Sequence, residues 1–432
     1  MRLGLGKLAA IAGALVLLAT CGDGTDRSAP DGGGGDTGST EGSARLFDPT
    51  VVHDVDMEIA DADLDRLEPP TDQRVPVRLT VDDVTVADAG VRLKGGASQH
   101  QGLDAKPGFS IKTDELVDDR YILGVARFTL GNAALDGSFV AEHLAYSTFR
   151  DAGIPVARTA LARVTVNNET FGLYVMRESY DKRWLARHFE DPEGNLYEAS
   201  DDAESLDTDL EARTNEQTND GGDLAAIAHA VDTAPDEDYH RTIEGLVDVD
   251  ELLTYWAVEA VTGHWDGYLY DVTAPGRVPP PARPPGNPGI NNFYAYHDPA
   301  SDQLVIIPHG GDLTFGLGGR TWDLDPSTPV LTPPKANATI AARLWEQPSV
   351  PEELADRVRW VLDEVWDPLS LVREAERLAD LVRADGLRGT REWVTPAGFE
   401  DALSAREDFI RQRGPAVRAE LAASGSRPGA GG

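Results

Sequence analysis

Asp266, Asn291, Asn292 and Asp312 lie in one stretch, residues 263–316, which reads GHWDGYLYDV, then a Pro-rich run, then NNFYAYHDPASDQLVIIPHGGDLTFG. Carboxylates and amides are hard oxygen donors suited to Mg²⁺, an ion that keeps several waters and takes only one or two protein carboxylates. Moving a phosphoryl group needs little covalent help and much positioning: a carboxylate at the acceptor hydroxyl, and an amide and a second carboxylate holding metal against the phosphates. Asp266 has the place of the first, and Asn292 (or Asn291) and Asp312 have the places of the others. Each Asp is also a common turn former and helix-end residue, so the types alone leave a structural role open.

The elements that must position these residues are legible nearby. Leu252, Leu253, Trp256 and Ala260 recur at helical spacing behind a capping Asp248 or Asp250, and Gly263 can stop the helix. Asp266 then sits in a loop fixed by a buried helix. The Asn pair opens a β-hairpin, and Asp312 falls where its return strand runs out into glycines. The Pro-rich insert 274–289 interrupts this block and is expected as a stiff, extended flap.

The strings HWDGY, NNFYAYHDP and IIPHGGDLTFG together resemble the core of the spore-coat CotH kinase family, and in motif order the likeness runs from about residue 75 to 420. The resemblance implies an α+β, atypical protein-kinase-like two-lobed fold, with a β-rich N-terminal lobe over about 47–177 and a helical C-terminal lobe over about 178–424. It implies phosphorylation of serines with ATP and a divalent metal, Mg²⁺ or Mn²⁺. Asp266 would be the catalytic residue; Asp312, Asn292 and Asn291 would be the metal set. Where many relatives read PWDxD this chain reads Pro308-His309-Gly310-Gly311-Asp312, so the second Asp is kept and the first has become Gly310. That substitution bears on both metal count and activity.

Strand patterns precede this block. Residues 51–59 and 75–81 alternate apolar and polar, 84–91 continues less regularly, and Asp82-Asp83 makes a turn. VRLKGGASQHQGLDAKPGFSIKTDE then reads as strand, Gly/Ser turn and returning strand ending in Lys112. The resemblance makes Lys112 the leading nucleotide contact, with Lys94 and Lys106 behind it, although a lysine on an alternating strand equally faces solvent. An amphipathic helix inside 128–153 carries Glu142, which kinase-like sites would pair with that lysine; a plain surface glutamate is the alternative. A hairpin over 158–176 turns at Asn167-Asn168 and leads to Glu178, which by order alone would lie near the adenine. The acidic run 194–223 lacks calcium-loop spacing and reads as a solvated connection, and helices follow from residue 224.

The chain has 432 residues, 74 acidic against 39 basic, and a net charge of −35. Such a balance disfavours nucleic acid and anionic lipid and favours cations or basic partners. Residues 1–21 read as a targeting segment: Arg2 and Lys7, an apolar run over 8–18, then Leu18-Ala19-Thr20-Cys21, which resembles a bacterial lipobox. Cys21 is the only cysteine, and lipidation would explain it better than a disulfide. Residues 22–46 are expected to be a Gly/Asp/Ser tether and 425–432 a disordered tail. The expected molecule is thus an exported bacterial lipoprotein, monomeric, at the cell surface or in the periplasm, touching membrane only through its anchor.

Three functions fit: a metal-dependent kinase acting on serine or threonine hydroxyls of a protein, a nucleotidyl (AMP) transferase on the same fold, and a catalytically silent surface binding or adhesion protein. Hydrolase and zinc chemistry are disfavoured, because no G-x-S-x-G motif is present and the nine histidines lack H-E-x-x-H spacing.

Overall fold

Alternation of apolar and polar residues builds the first half of the chain. The computed structural model describes residues 40–67, 73–94, 101–199, 210–272, 289–317 and 323–424. Helix α1 (Thr40–Leu46) leads into β1 (Val52–Glu58), α2 (Asp61–Leu67), β2 (Val75–Val81), β3 (Val84–Lys94), β4 (Gly108–Lys112) and β5 (Arg127–Gly131); α3 (Ala141–Asp151) precedes β6 (Thr159–Val166) and β7 (Glu169–Glu178). The strands close into a barrel in the order β1-β2-β3-β4-β5-β7-β6, with β1 parallel to β6 at the closure. Every second side chain points inward. Val55, Leu79, Val91, Phe109, Ile111, Phe128, Leu130 and Met176 fill the interior.

The second half mixes a small sheet with helices: α4 (Lys182–His188), β8 (Asn195–Ala199), β9 (Leu210–Ala212), α5 (Gly222–Thr233), α6 (Tyr239–Glu244), α7 (Val249–Thr262), β10 (Phe293–Asp298), β11 (Gln303–Pro308), α8 (Thr339–Trp345), α9 (Val350–Trp360), α10 (Pro368–Asp385) and α11 (Pro396–Ser424). The sheet order is β11-β10-β8-β9. Helix α7 is buried on all sides from Leu252 to Thr262, as an all-round apolar helix in a large core must be. Its N-cap is Asp248, whose side chain accepts from Glu251 N at 2.9 Å, and Gly263 closes it in the left-handed conformation, φ 75°. Helix α3 turns its apolar face away from the barrel interior. Leu144, Ala145 and Phe149 join the core around α7, with Phe149 and Tyr255 rings 5.4 Å apart.

The folded part begins earlier than composition suggests. The tether was expected to reach residue 46, but Thr40–Leu46 is helical, with Leu46 wholly buried and Phe47 packed beside it in the barrel core. A few apolar residues at the end of a polar run escape a composition argument. The acidic run 194–223 is also more than a solvated connection: β8 pairs antiparallel with β10 and with β9, extending the hairpin sheet. Leu196 and Tyr197 anchor it in the core, a signal outvoted by the surrounding acids. The targeting segment with Cys21, the Gly95-Gly96 turn, the Pro-rich insert apart from Gly289, and the tail lie outside the described residues. Among the described residues no helix is long and apolar enough to cross a membrane.

Leu46→Ala should lower the unfolding free energy in urea by about 2–5 kcal/mol, the cost of emptying a core leucine site. A leucine in a solvated tether would give a change within about 0.5 kcal/mol.

Candidate active site

A buried carboxylate holds the loop that carries Asp266. Glu259 sits on α7 with no exposure, and its oxygens accept backbone N–H from Tyr268 (2.8 Å), Leu269 (2.8 Å) and Tyr270 (3.0 Å). Burial raises its pKa, while the Lys335 ammonium and those amides pull it down, the net shift being upward. Lys335, also buried, donates from Nζ to Gly267 O and from its backbone N to Leu269 O at 3.0 Å. The turn following Asp266 is therefore fastened from two sides by charged groups that have exchanged water for backbone partners.

The second loop is tied to the first. Asn292 Nδ2 donates to Asp266 O at 2.9 Å and to Asp266 Oδ2 at 3.0 Å, and His309 N donates to Asn292 O at 3.0 Å. His264 Nε2 lies 3.1 Å from Gly310 O. Burial, then Lys335, lower the His264 pKa to about 3, so the ring is neutral. Tyr180 OH donates to Pro308 O at 2.5 Å, and Thr314 Oγ1 donates to Gly311 O at 2.8 Å. A Cβ on Gly311 would come within 3.0 Å of Ala145 Cβ on α3, so this loop passes α3 closely enough to favour glycine. Asn291, the other member of the pair, donates its backbone N to Gly267 O at 3.4 Å.

These ties bring the Asp266 and Asp312 loops together. The pKa of Asp312 is pushed up to about 7 by burial first, then by the charges of Glu142, Asp266 and Asp136, with Arg177 opposing. Asp312 is half-buried and lies within the fields of both α3 and the Asp266 loop.

Facing this acidic pair is a cationic wall on the outside of the barrel. Arg92, Ser110, Thr129 and Arg177 form one row across β3, β4, β5 and β7. Arg177 Nη1 meets Glu142 Oε1 at 2.5 Å. Lys94 is in the same neighbourhood: burial first, then Arg177, lower its pKa to about 7, and Glu198 and Glu142 act in the opposite sense. Glu198 on β8 is ion-paired with Arg213 at 2.5 Å.

This geometry revises the pairing expected from sequence. Glu142 bonds Arg177, and the lysine in its field is Lys94. Lys112 faces Gly90 across the β3–β4 ladder, whereas Lys94 faces Gly108, four residues away along β4 and so about 13 Å at ~3.3 Å per residue. Lys112 pairs instead with Glu115 at 2.9 Å. Lys106 is buried against Glu392 at 2.8 Å. Glu178 is taken up by Arg158, through Nε at 2.9 Å and Nη2 at 2.7 Å, and by Arg187. Sequence reasoning passed over Arg177 and Glu198. Arg177 had a signal, a basic residue spaced by two from Val175 and so on the same strand face; Glu198 had none within an acidic run.

The donor set fits a cation of limited demands. Among the described residues no three His, Cys, Asp or Glu side chains gather into a metal cage. Asp312 and the amide oxygen of Asn292 are hard oxygen donors of the kind Mg²⁺ takes in small number, and Lys94 and Arg177 are the basic side chains in the same neighbourhood.

The family model described as CotH kinase protein matches residues 91–417. Over 193 residues the chain is 26% identical to inner spore coat protein H of Bacillus subtilis, covering 42% of this chain and 48% of that protein. The chain thus spans about half the length of the curated relative it matches. Among solved structures, the Helicobacter pylori proinflammatory kinase CtkA aligns over 74% of this chain and 94% of its own at 12% identity and a TM-score of 0.29.

Glu178→Gln leaves two guanidinium groups short of a counter-charge and should lower the unfolding free energy by about 2 kcal/mol. Affinity for an ATP analogue, titrated calorimetrically on the same variant, should stay within twofold of the parent, about the noise of a surface-site change.

Proposed function

We propose that this chain, a member of the CotH kinase protein family, is an ATP- and Mg²⁺- (or Mn²⁺-) dependent phosphotransferase acting on serine or threonine hydroxyls of a protein. One observation carries the reading: Asn292 is bonded to Asp266 at both its carbonyl and its carboxylate, and the hairpin opened by Asn292 ends at Pro308, in the loop that carries Asp312. Acceptor-side carboxylate, amide and cation-side carboxylate are thereby held as one unit. In this reading the barrel and the helical half are the two lobes of a kinase-like arrangement, with nucleotide between the barrel's cationic wall and the Asp312 loop.

Asp266 orients the acceptor hydroxyl and takes its proton as that oxygen bonds to the γ-phosphorus and the bond to the leaving ADP breaks. Asp312 and Asn292 Oδ1 would hold the cation, which when bound would neutralise charge developing on the phosphate oxygens. Lys94 replaces Lys112 as the lysine nearest the phosphates. Arg177, steered by Glu142, adds a second positive charge. The net charge of −35 supports a basic protein acceptor and disfavours nucleic acid. Cys21 in its lipobox-like setting supports an exported, lipid-anchored monomer at the bacterial surface or in the periplasm. A silent binding protein is the second reading, favoured by Gly310 in place of a carboxylate.

Incubating the chain with γ- or α-labelled ATP, Mg²⁺ or Mn²⁺ and a casein-like acceptor separates the readings. Label from the γ position alone is expected; α label would mean nucleotidyl transfer, and none a silent binder. Asp266→Asn should lower the rate by about 10²–10⁴-fold, and Asp312→Asn or Lys94→Ala by about 10²-fold or more through lost charge stabilisation. Lys112→Ala should leave it within about twofold, as for a surface substitution.

A further inference from the structure

Helix α7 ends inside the core, so each of its last four carbonyls needs a donor. Glu259 O accepts from Gly263 N and from His264 N, and Thr262 O accepts from Phe315 N at 2.8 Å. Between them, Ala260 O and Val261 O are taken by Arg413 of α11, through Nη2 at 2.6 Å and Nε at 3.2 Å. Arg413 has no exposed surface, and a cation at a helix C-terminus is favoured by the helix dipole.

The same guanidinium reaches a second segment. Its Nη1 donates to Pro326 O at 2.7 Å and to Thr328 O at 2.5 Å, and Nη2 lies 3.5 Å from Tyr270 OH. Two turns further along α11, Glu420 accepts from Val330 N at 2.9 Å and from Leu331 N at 3.1 Å. The segment then crosses to the loop after Asp266. Tyr270 OH donates to Pro329 O at 2.9 Å, and Lys335 donates to Leu269 O from its backbone and to Gly267 O from Nζ. Glu259 thus holds the N–H groups of that loop, while residues 326–335 hold its carbonyls and are held in turn by α11.

We propose that α11 and residues 326–335 form a brace that sets the position of Asp266, with Arg413 and Glu420 as positioning residues for the transfer step. The catalytic consequence rests on the phosphotransferase reading. Arg413 suits the role because its planar fork bridges two segments, which the single ammonium of lysine does not. The Glu420 carboxylate accepts from two amides at once, whereas glutamine would turn an NH₂ group on one of them. A misplacement of about 1 Å at a reacting group costs about 10²-fold in rate. The barrel wall with Lys94 and Arg177 stands outside this set of bonds, so nucleotide affinity is expected to hold.

The test uses the full chain and measures three things: γ-label transfer, the number of ATP-analogue sites by calorimetry, and hydrogen–deuterium exchange over residues 263–272. Arg413→Lys, Glu420→Gln and Tyr270→Phe should each lower kcat per bound nucleotide by about 10–10²-fold, with nucleotide KM within about twofold. Each should also speed exchange over 263–272 by about tenfold, the worth of a lost hydrogen bond to a charged group. Leu378→Ala, which empties a core site on α10 with an apolar side chain, should lower Tm and leave kcat per bound nucleotide and the 263–272 exchange as in the parent. If Arg413→Lys does not fold, the other two variants decide. Unchanged exchange over 263–272, or an equal rise in Leu378→Ala, overturns the brace; faster exchange with unchanged kcat per bound nucleotide overturns the positioning role. A parent chain that binds nucleotide and transfers no label overturns the phosphotransferase reading instead, and exchange alone then decides the brace.

Discussion

The site depends on a charge that gave up water. Glu259 has no exposed surface, and a buried carboxylate is tolerable only with a full set of partners. It finds them in the amides of Tyr268, Leu269 and Tyr270, which in turn have no other secondary structure to satisfy them. Lys335 completes the arrangement from the opposite side, binding Gly267 O. The result is a loop fastened directly to the helix beneath it. Asp266 lies inside that loop, half-buried, with its carboxylate accepting from Asn292.

The ties continue from there through side-chain bonds to backbone carbonyls. Asn292 and His264 join the Asp266 loop to the hairpin and to Gly310, and Tyr180 joins the hairpin's end to the segment leaving the barrel. Helix α3 then brings Glu142 between the barrel wall and Asp312. Because α3 buries its apolar face with α7 and points Glu142 at Arg177 on β7, the acidic loop and the cationic wall are set against each other by packing common to both halves. Opposed charge across a partly buried cleft is stronger than the same charges in water. The raised pKa of Asp312 and the lowered pKa of Lys94 both trace first to burial.

Much of this was legible in the chain. Strict alternation placed β2 at 75–81, helical spacing behind Asp248 or Asp250 placed α7, and the Asn167-Asn168 turn, with φ of 47° and 66°, placed the β6–β7 hairpin. The likeness of HWDGY, NNFYAYHDP and PHGGD identified the stretch that the structure draws together. Less legible were short apolar signals inside polar runs. Leu46 and Phe47 ended a tether-like composition, and Leu196 and Tyr197 sat among acids, yet both pairs are buried. A composition window averages such residues away, whereas a core needs only one or two of them.

What the sequence determined alone was local: where most of the barrel strands and α7 run, that an Asp at 248 or 250 caps α7, and that Asp266, Asn292 and Asp312 stand near element ends. Those depend on neighbours a few residues apart, so periodicity and capping chemistry are enough. Which charges meet was decided only by the fold. Lys94 and Lys112 share a hairpin and one face, and the fold puts the first in the field of Glu198 and Glu142 and the second beside Glu115. Asn292 likewise fills the space a Cβ on Gly310 would take, where two loops, distant along the chain, are forced into contact by a buried helix and its carboxylate.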